Sequence, residues 1–160
     1  MKVHIITTGG TIDKVYFDAK SHYQIGEPIV GDLLERMRVN FSFTTEQAMR
    51  KDSLEIDDED RTIIKALVDR CDSKHVLITH GSDSMVATAR SLTSIRGKCI
   101  VLTGALQPAA FANSDAVFNI GCAIGALQSK DSGVYIAMSG QIFDANHVQK
   151  NVAANRFESI

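Results

Sequence analysis

The sequence predicts an α/β domain, a mostly parallel sheet covered by helices on both faces, and three observations predict it. First, four short apolar runs each stop at glycine: KVHIITT (2–8) at Gly9-Gly10, HVLITH (75–80) at Gly81, CIVLT (99–103) at Gly104 and VYIAMS (134–139) at Gly140. Second, the runs are apolar along their length rather than alternating, as strands buried on both faces must be. Third, helical patterns fall between them, and strands that alternate with helices pair in parallel in a three-layer αβα arrangement.

Residues 2–8 read as a buried strand that ends in a tight turn. Residues 12–26, IDKVYFDAKSHYQIG, carry no helical face. A long irregular segment at the carboxyl end of a strand is a lid or binding loop more often than a plain connector, and that is the expectation here. Helices are expected over 28–38, 58–71, 84–95 and 114–128. In the second, Ile63, Ile64, Leu67, Val68 and Cys71 recur at three- and four-residue spacing and form one apolar face. Its acidic start, Asp57-Asp58-Glu59-Asp60, suits the positive end of a helix dipole. It is read as a solvated helix start rather than a metal loop, which would need turn glycines.

The chain has 160 residues, 44% hydrophobic and 22% charged, with 17 basic against 19 acidic side chains and a net charge of −2. This fits one domain, which at this size buries roughly 68–70% of its unfolded surface. The charge balance and the lack of a Lys/Arg cluster argue against a nucleic-acid partner, whose phosphates must be neutralised. No apolar run approaches the ~18–20 residues of a membrane span, and MKVHIITT lacks the features of a signal peptide. A soluble, unprocessed, cytoplasmic protein with no membrane partner is therefore expected. Cys71, Cys99 and Cys122 lack C-x-x-C spacing and read as free thiols.

Three polar sets follow predicted strands, so the fold should gather them at one sheet edge, where such folds bind ligands. In Thr7-Thr8-Gly9-Gly10-Thr11 the glycines allow a sharp turn, and the hydroxyl beyond it is a nucleophile if a neighbour takes its proton. The plainer readings are a simple turn or an anion-binding turn. A nucleotide site is disfavoured, since neither dinucleotide nor P-loop glycine spacing occurs and no helix follows.

In His80-Gly81-Ser82-Asp83-Ser84-Met85 the plainer reading is N-capping of the next helix. The functional one has free N–H groups binding a carboxylate or an oxyanion, and Asp83 binding an ammonium or orienting a lysine. His80 is read as structural. Thr103-Gly104-Ala105 with Leu106-Gln107-Pro108 reads only as a loop with small residues. Lys150 is a surface lysine on base rates. Buried beside Ser82 and Asp83, it would instead serve as a base, since lysine pKa falls on desolvation.

Together these segments resemble the bacterial-type L-asparaginase family. TTGGTI is similar to the family's first signature and HGSDSM to its second, usually written HGTDTM. SHYQIG resembles the lid segment with the family's Tyr, KDSLEIDDED its Ser-containing substrate loop, and HVQKN the segment that supplies its lysine. GALQP and NSDAVFNI resemble GAMRP and S-x-D-G-x-x-N-L, and the matches run in the family's order from end to end.

The resemblance implies a flavodoxin/Rossmann-like, mostly parallel sheet and hydrolysis of L-asparagine to L-aspartate and ammonia through an acyl-enzyme, with no metal or cofactor. It implies Thr11 as nucleophile with Tyr23 beside it, and Ser82, Asp83 and Lys150 as a second catalytic group. Ser53, with Ser82 and Asp83, would hold the substrate's α-carboxylate and α-amino groups, and the backbone at Ala105 would contact the reacting amide.

Ser82 stands where the family usually has Thr, Leu54 where many members have a polar residue, and Gln107 and Ala116 where Arg and Gly are usual. The expectation is a short-chain form, residues 1–160 forming the N-terminal-type catalytic domain without the smaller C-terminal domain. In the family that domain supplies side chains at the amino end of a neighbouring subunit's substrate. A homodimer or higher homo-oligomer is expected. An amidase for glutamine or another small amide, and a weakly catalytic domain that binds asparagine or aspartate, stand as alternatives.

Overall fold

The computed structural model describes residues 1–16 and 22–160. In chain order the strands are β1 (Lys2–Gly9), β2 (Lys14–Tyr16), β3 (Tyr23–Ile25), β4 (Ser42–Lys51), β5 (His75–Thr79), β6 (Cys99–Thr103), β7 (Gly133–Met138), β8 (Gln141–Asp144), β9 (Val148–Asn151) and β10 (Arg156–Ser159). The helices are α1 (Val30–Arg36), α2 (Asp58–Arg70), α3 (Met85–Ser91) and α4 (Ala116–Ser129). Six strands form the main sheet in the order β4-β1-β5-β6-β7-β8. All neighbours pair in parallel except β7 and β8, which close the sheet as an antiparallel hairpin.

Successive side chains of a strand point to opposite faces, so an all-apolar strand feeds two cores. Ile6, Ile78, Leu102 and Ile136 meet Ile64 and Val68 of α2 and Met85 and Ala89 of α3 on one face. Val3, Ile5, Leu77 and Val101 meet Leu33 and Leu34 of α1 and Ile120, Ile124 and Leu127 of α4 on the other. The three-layer architecture follows from these two cores.

The helices are found where the pattern puts them but shorter: Val30–Arg36, Asp58–Arg70, Met85–Ser91 and Ala116–Ser129, the last ending one residue beyond its expected bound. The acidic run caps α2. Asp57 Oδ1 accepts the Asp60 N–H at 2.9 Å, Asp60 Oδ2 accepts the Asp57 N–H at 3.1 Å, and Asp60 is also paired with Lys51 Nζ at 2.8 Å. Part of the irregular segment 12–26 is more ordered than its pattern suggests. A 3₁₀ turn, Thr11–Asp13, leads into a short antiparallel hairpin in which Lys14 pairs with Ile25 and Tyr16 with Tyr23. The middle of the expected lid, residues 17–21, lies outside the described residues.

β4 is a strand the hydrophobic pattern does not predict. It lies at the sheet edge, partly exposed and carrying Glu46, Arg50 and Lys51, as edge strands do to resist pairing with other chains. The turn between β7 and β8 has positive φ at both central residues, Ser139 (52°) and Gly140 (81°), the geometry that suits a two-residue hairpin.

Candidate active site

In-register parallel pairing brings several strand ends to one edge, Thr7 beside Thr79 and Thr79 beside Thr103. There the backbones nearly touch. A Cβ placed on Gly10, whose φ is 92°, would lie 2.6 Å from Gly81 Cα, and one on Gly104 would lie 2.2 Å from the His80 carbonyl oxygen. A Cβ on Gly81 would fall 2.6 Å from Ser53 Cβ. The glycines that end the apolar runs are thus the residues that let three loops converge, and Thr11, Ser82 and Ser53 stand beside these contacts.

Ser53 reaches the edge through β4. A 3₁₀ turn, Ser53–Glu55, follows that strand, and its N-cap Asp52 accepts the Leu54 N–H at 3.1 Å. Ser53 is buried, its Oγ accepting the Asp83 N–H at 3.2 Å and its carbonyl accepting the Ser84 hydroxyl at 2.5 Å. Ser84, the N-cap of α3, makes no side-chain cap bond. The capping reading of Ser82-Asp83-Ser84 is therefore corrected: Ser84 ties the turn to Ser53, which leaves the side chains of Ser82 and Asp83 for another partner.

That partner is Lys150. Its Nζ donates to Ser82 Oγ at 2.8 Å and to Asp83 Oδ1 at 2.5 Å, and its side chain is only 8% exposed. The surface reading of Lys150 is corrected with it. Lys150 sits on β9, outside the main sheet, paired across to Phe157 of β10. Arg90 of α3 steers this segment, its guanidinium donating to the Ala145 carbonyl at 3.2 Å and the Val148 carbonyl at 2.9 Å. Phe157 anchors the hairpin in the core against Phe143.

The remaining candidates are placed as follows. Thr11 is half-buried on the turn that follows Gly10. Tyr23, on β3, is 46% exposed, its ring edge-on to Tyr16 at 5.7 Å and to Phe111 at 6.0 Å. Ala105 is buried just past β6. The structure thus joins Ser53, Ser82, Asp83 and Lys150 by direct contacts and sets Thr11 beside them through the Gly10–Gly81 approach, while Tyr23 stands on the neighbouring hairpin.

Two residues of the NSDAVFNI stretch, to which the sequence analysis gave no role, hold the Ala105 loop. The Asp115 carboxylate accepts the N–H groups of Leu106 and Gln107, each at 3.0 Å, and the Asn119 amide at 2.8 Å. Asn119 also donates to the Gly104 carbonyl at 3.0 Å and accepts the Ser139 N–H at 2.9 Å. Their i, i+4 spacing at the start of a helix was the available signal. His80 is structural as expected. It is fully buried, hydrogen-bonded to the Gly81 carbonyl and to Thr88 Oγ1, and burial lowers its pKa to about 4, so the ring is neutral.

Fold and edge together define a class, a three-layer α/β domain that presents hydroxyl, carboxylate and ammonium groups at the carboxyl ends of parallel strands. The chain belongs to the asparaginase family, the model described as "Asparaginase, N-terminal" matching residues 2–160. It is 31% identical to the probable periplasmic L-asparaginase of Haemophilus influenzae over 160 residues, 92% of this chain and 46% of that protein. The thermostable L-asparaginase of Thermococcus kodakarensis superposes with a TM-score of 0.85 at 26% identity, covering 100% of this chain and 51% of that one. The probable cytoplasmic L-asparaginase of Campylobacter jejuni gives 0.82 at 26% identity, covering 99% of this chain and 51% of that one. The chain spans about half the length of these relatives. Among the described residues, no helix is long and apolar enough to cross a membrane.

Proposed function

We propose that this domain hydrolyses the side-chain amide of L-asparagine to L-aspartate and ammonia. The observation that carries the proposal is the contact of buried Lys150 Nζ with both Ser82 Oγ and Asp83 Oδ1, beside the turn that bears Thr11. Amide hydrolysis needs a nucleophile, a proton carrier, an oxyanion site and a proton for the departing ammonia. Thr11 Oγ attacks the carboxamide carbon, and its proton is passed to the amide nitrogen, which leaves as ammonia with the acyl group on Thr11. Lys150, held by Asp83, donates to Ser82 Oγ and so makes the serine hydroxyl the better proton donor. Water then attacks the ester, returns a proton to Thr11 and frees aspartate. Ser53 and Asp83 receive the α-carboxylate and α-amino ends, the Ala105 backbone faces the reacting amide, and Tyr23 lies over Thr11 when substrate is bound.

The purified protein is expected to release ammonia from L-asparagine faster than from L-glutamine, and Thr11→Ala to abolish release with the fold intact. No release at millimolar L-asparagine would overturn the proposal. Leu54, beside Ser53 and 78% exposed, favours a second reading, an amidase for another small amide, which a side-by-side amide screen decides. A homodimer or higher assembly and a cytoplasmic location belong to the same proposal. Light scattering at a multiple of 17.4 kDa and cell fractionation test them.

A further inference from the structure

Asp13 lies two residues beyond Thr11 and is 3% exposed, a burial unusual for a carboxyl without an ionic partner among the described residues. It closes the root of the β2–β3 hairpin in three ways. Its N–H donates to the Gly10 carbonyl at 3.2 Å, its carbonyl accepts the Gly26 N–H at 2.7 Å, and its Oδ1 accepts the Ile29 N–H at 3.0 Å. The turn bearing Thr11 is only Thr11–Asp13, so whatever holds Asp13 fixes the direction of Thr11. Oδ2 is buried with no hydrogen-bond partner among the described residues. Beside Asp13 is a cavity of about 260 Å³ that Lys14 and Arg36 also line.

We propose that Asp13 is a pH-operated latch at the hairpin root and, resting on the reading of Thr11 as nucleophile, a positioning residue for it. Neutral, Asp13 holds the Thr11 turn to Ile29. Ionised, its carboxylate swings into the adjacent cavity toward Lys14 and Arg36 and frees the root.

The direction follows from linkage. Burial raises the Asp13 carboxyl from 3.8 to about 6, against the opposing Ile29 N–H and Arg50 charge. The closed root therefore binds the proton more tightly than a solvated carboxyl does, and deprotonation favours the conformation that exposes it. Among the described residues, the other charged groups beside Asp13 are Lys14, Glu27, Arg36 and Arg50. Lys14 of β2 pairs with Asp52 at 3.3 Å, Glu27 pairs with Arg50 of β4 at 2.5 Å, and Arg36 comes from α1. Ala109 and Ala110 line the cavity without a titratable group.

The chain has three tyrosines and no tryptophan, and two of the three, Tyr16 and Tyr23, pack edge-on to each other on this hairpin. A Tyr135→Phe, His22→Gln background leaves only hairpin tyrosines and removes the imidazole beside Tyr23. In it, near-ultraviolet circular dichroism is expected to change as pH rises from 4 to 7, with a midpoint no higher than about 6. Asp13→Asn, isosteric and uncharged, is expected to hold the acid-form signal throughout, and Arg36→Gln to move the midpoint to higher pH. A pH-independent signal in the background, an unshifted titration in Asp13→Asn, or a midpoint unmoved in Arg36→Gln overturns the latch. In otherwise native protein, kcat relative to that of Asp13→Asn should fall several-fold as pH rises from 5 to 8; coincident profiles overturn the role toward Thr11. The tyrosine titration is read without turnover. Absence of ammonia release therefore overturns the nucleophile reading, and with it the role toward Thr11, separately from the latch.

Discussion

Lys150 Nζ lies 2.8 Å from Ser82 Oγ although 68 residues separate the two in sequence. The pairing depends on a β-hairpin outside the main sheet, and it converts a serine at a strand end into a group with a proton donor behind it. Lys150→Met keeps most of the buried stem and removes the ammonium. Since positioned acid–base groups contribute roughly 10²–10⁴-fold, kcat for ammonia release is expected to fall by about that factor. Thermal melting should fall only modestly, because the Asp83 carboxylate left behind is 42% exposed and is taken up by solvent rather than buried unpaired. A variant with near-native kcat would remove Lys150 from the chemistry.

Arg90 is expected to support the same contact from a distance. Arg90→Met leaves the carbonyls of Ala145 and Val148 without their donors, at a cost of about 1–3 kcal/mol. Steady-state kinetics alongside melting should show kcat lowered more than global stability accounts for, with KM little affected.

Gly104→Ala tests the backbone convergence. Its Cβ would sit 2.2 Å from the His80 carbonyl, an overlap that no rotamer relieves. The expected loss is about 3 kcal/mol, which for a domain of this size lowers Tm by roughly 6–12 °C. Melting curves check it, and an unchanged Tm would show that the strand ends can part.

Asp13→Asn carries a stability prediction with a definite sign. Its folded carboxyl titrates near 6 and its unfolded one near 3.8, so ionisation costs the folded state more. Native stability from this group is full below about pH 4, declines through pH 6 and is level above. A raise of about two pKa units corresponds to at most about 3 kcal/mol. The variant should therefore gain stability over the native protein at pH 8 and lose that advantage near pH 4, as denaturant titrations at the two pH values would show.

How much of this was legible follows from what each residue needs. β1, β5, β6 and β7 are buried on both faces and announce themselves as apolar runs ending in glycine. β4 answers to solvent on its outer side, so its sequence carries charges and hydroxyls and no strand rhythm, yet it delivers Ser53. Ser82 and Asp83 sit in a stretch whose composition is also that of a helix cap. Only the bond from Ser84 to Ser53, across a distance in sequence that local patterns do not span, shows which use is made of them. Asp13 lay inside a segment read for its lack of helical periodicity, and nothing in its neighbours foretells a buried carboxyl.

The two-stranded β9–β10 sheet has a consequence for how the molecule loses competence. It is tied to the main body through Phe157, Val148, the Arg90 bonds and the Lys150 contacts, whereas the central strands are paired on both sides. Peripheral units of this kind open sub-globally, well below the free energy of complete unfolding. Amide hydrogen exchange in Val148–Asn151 should accordingly be faster than in Leu77 or Val101. Each such opening withdraws the lysine while leaving the sheet intact, so the working fraction of molecules at elevated temperature is set by one small hairpin and declines before the fold does.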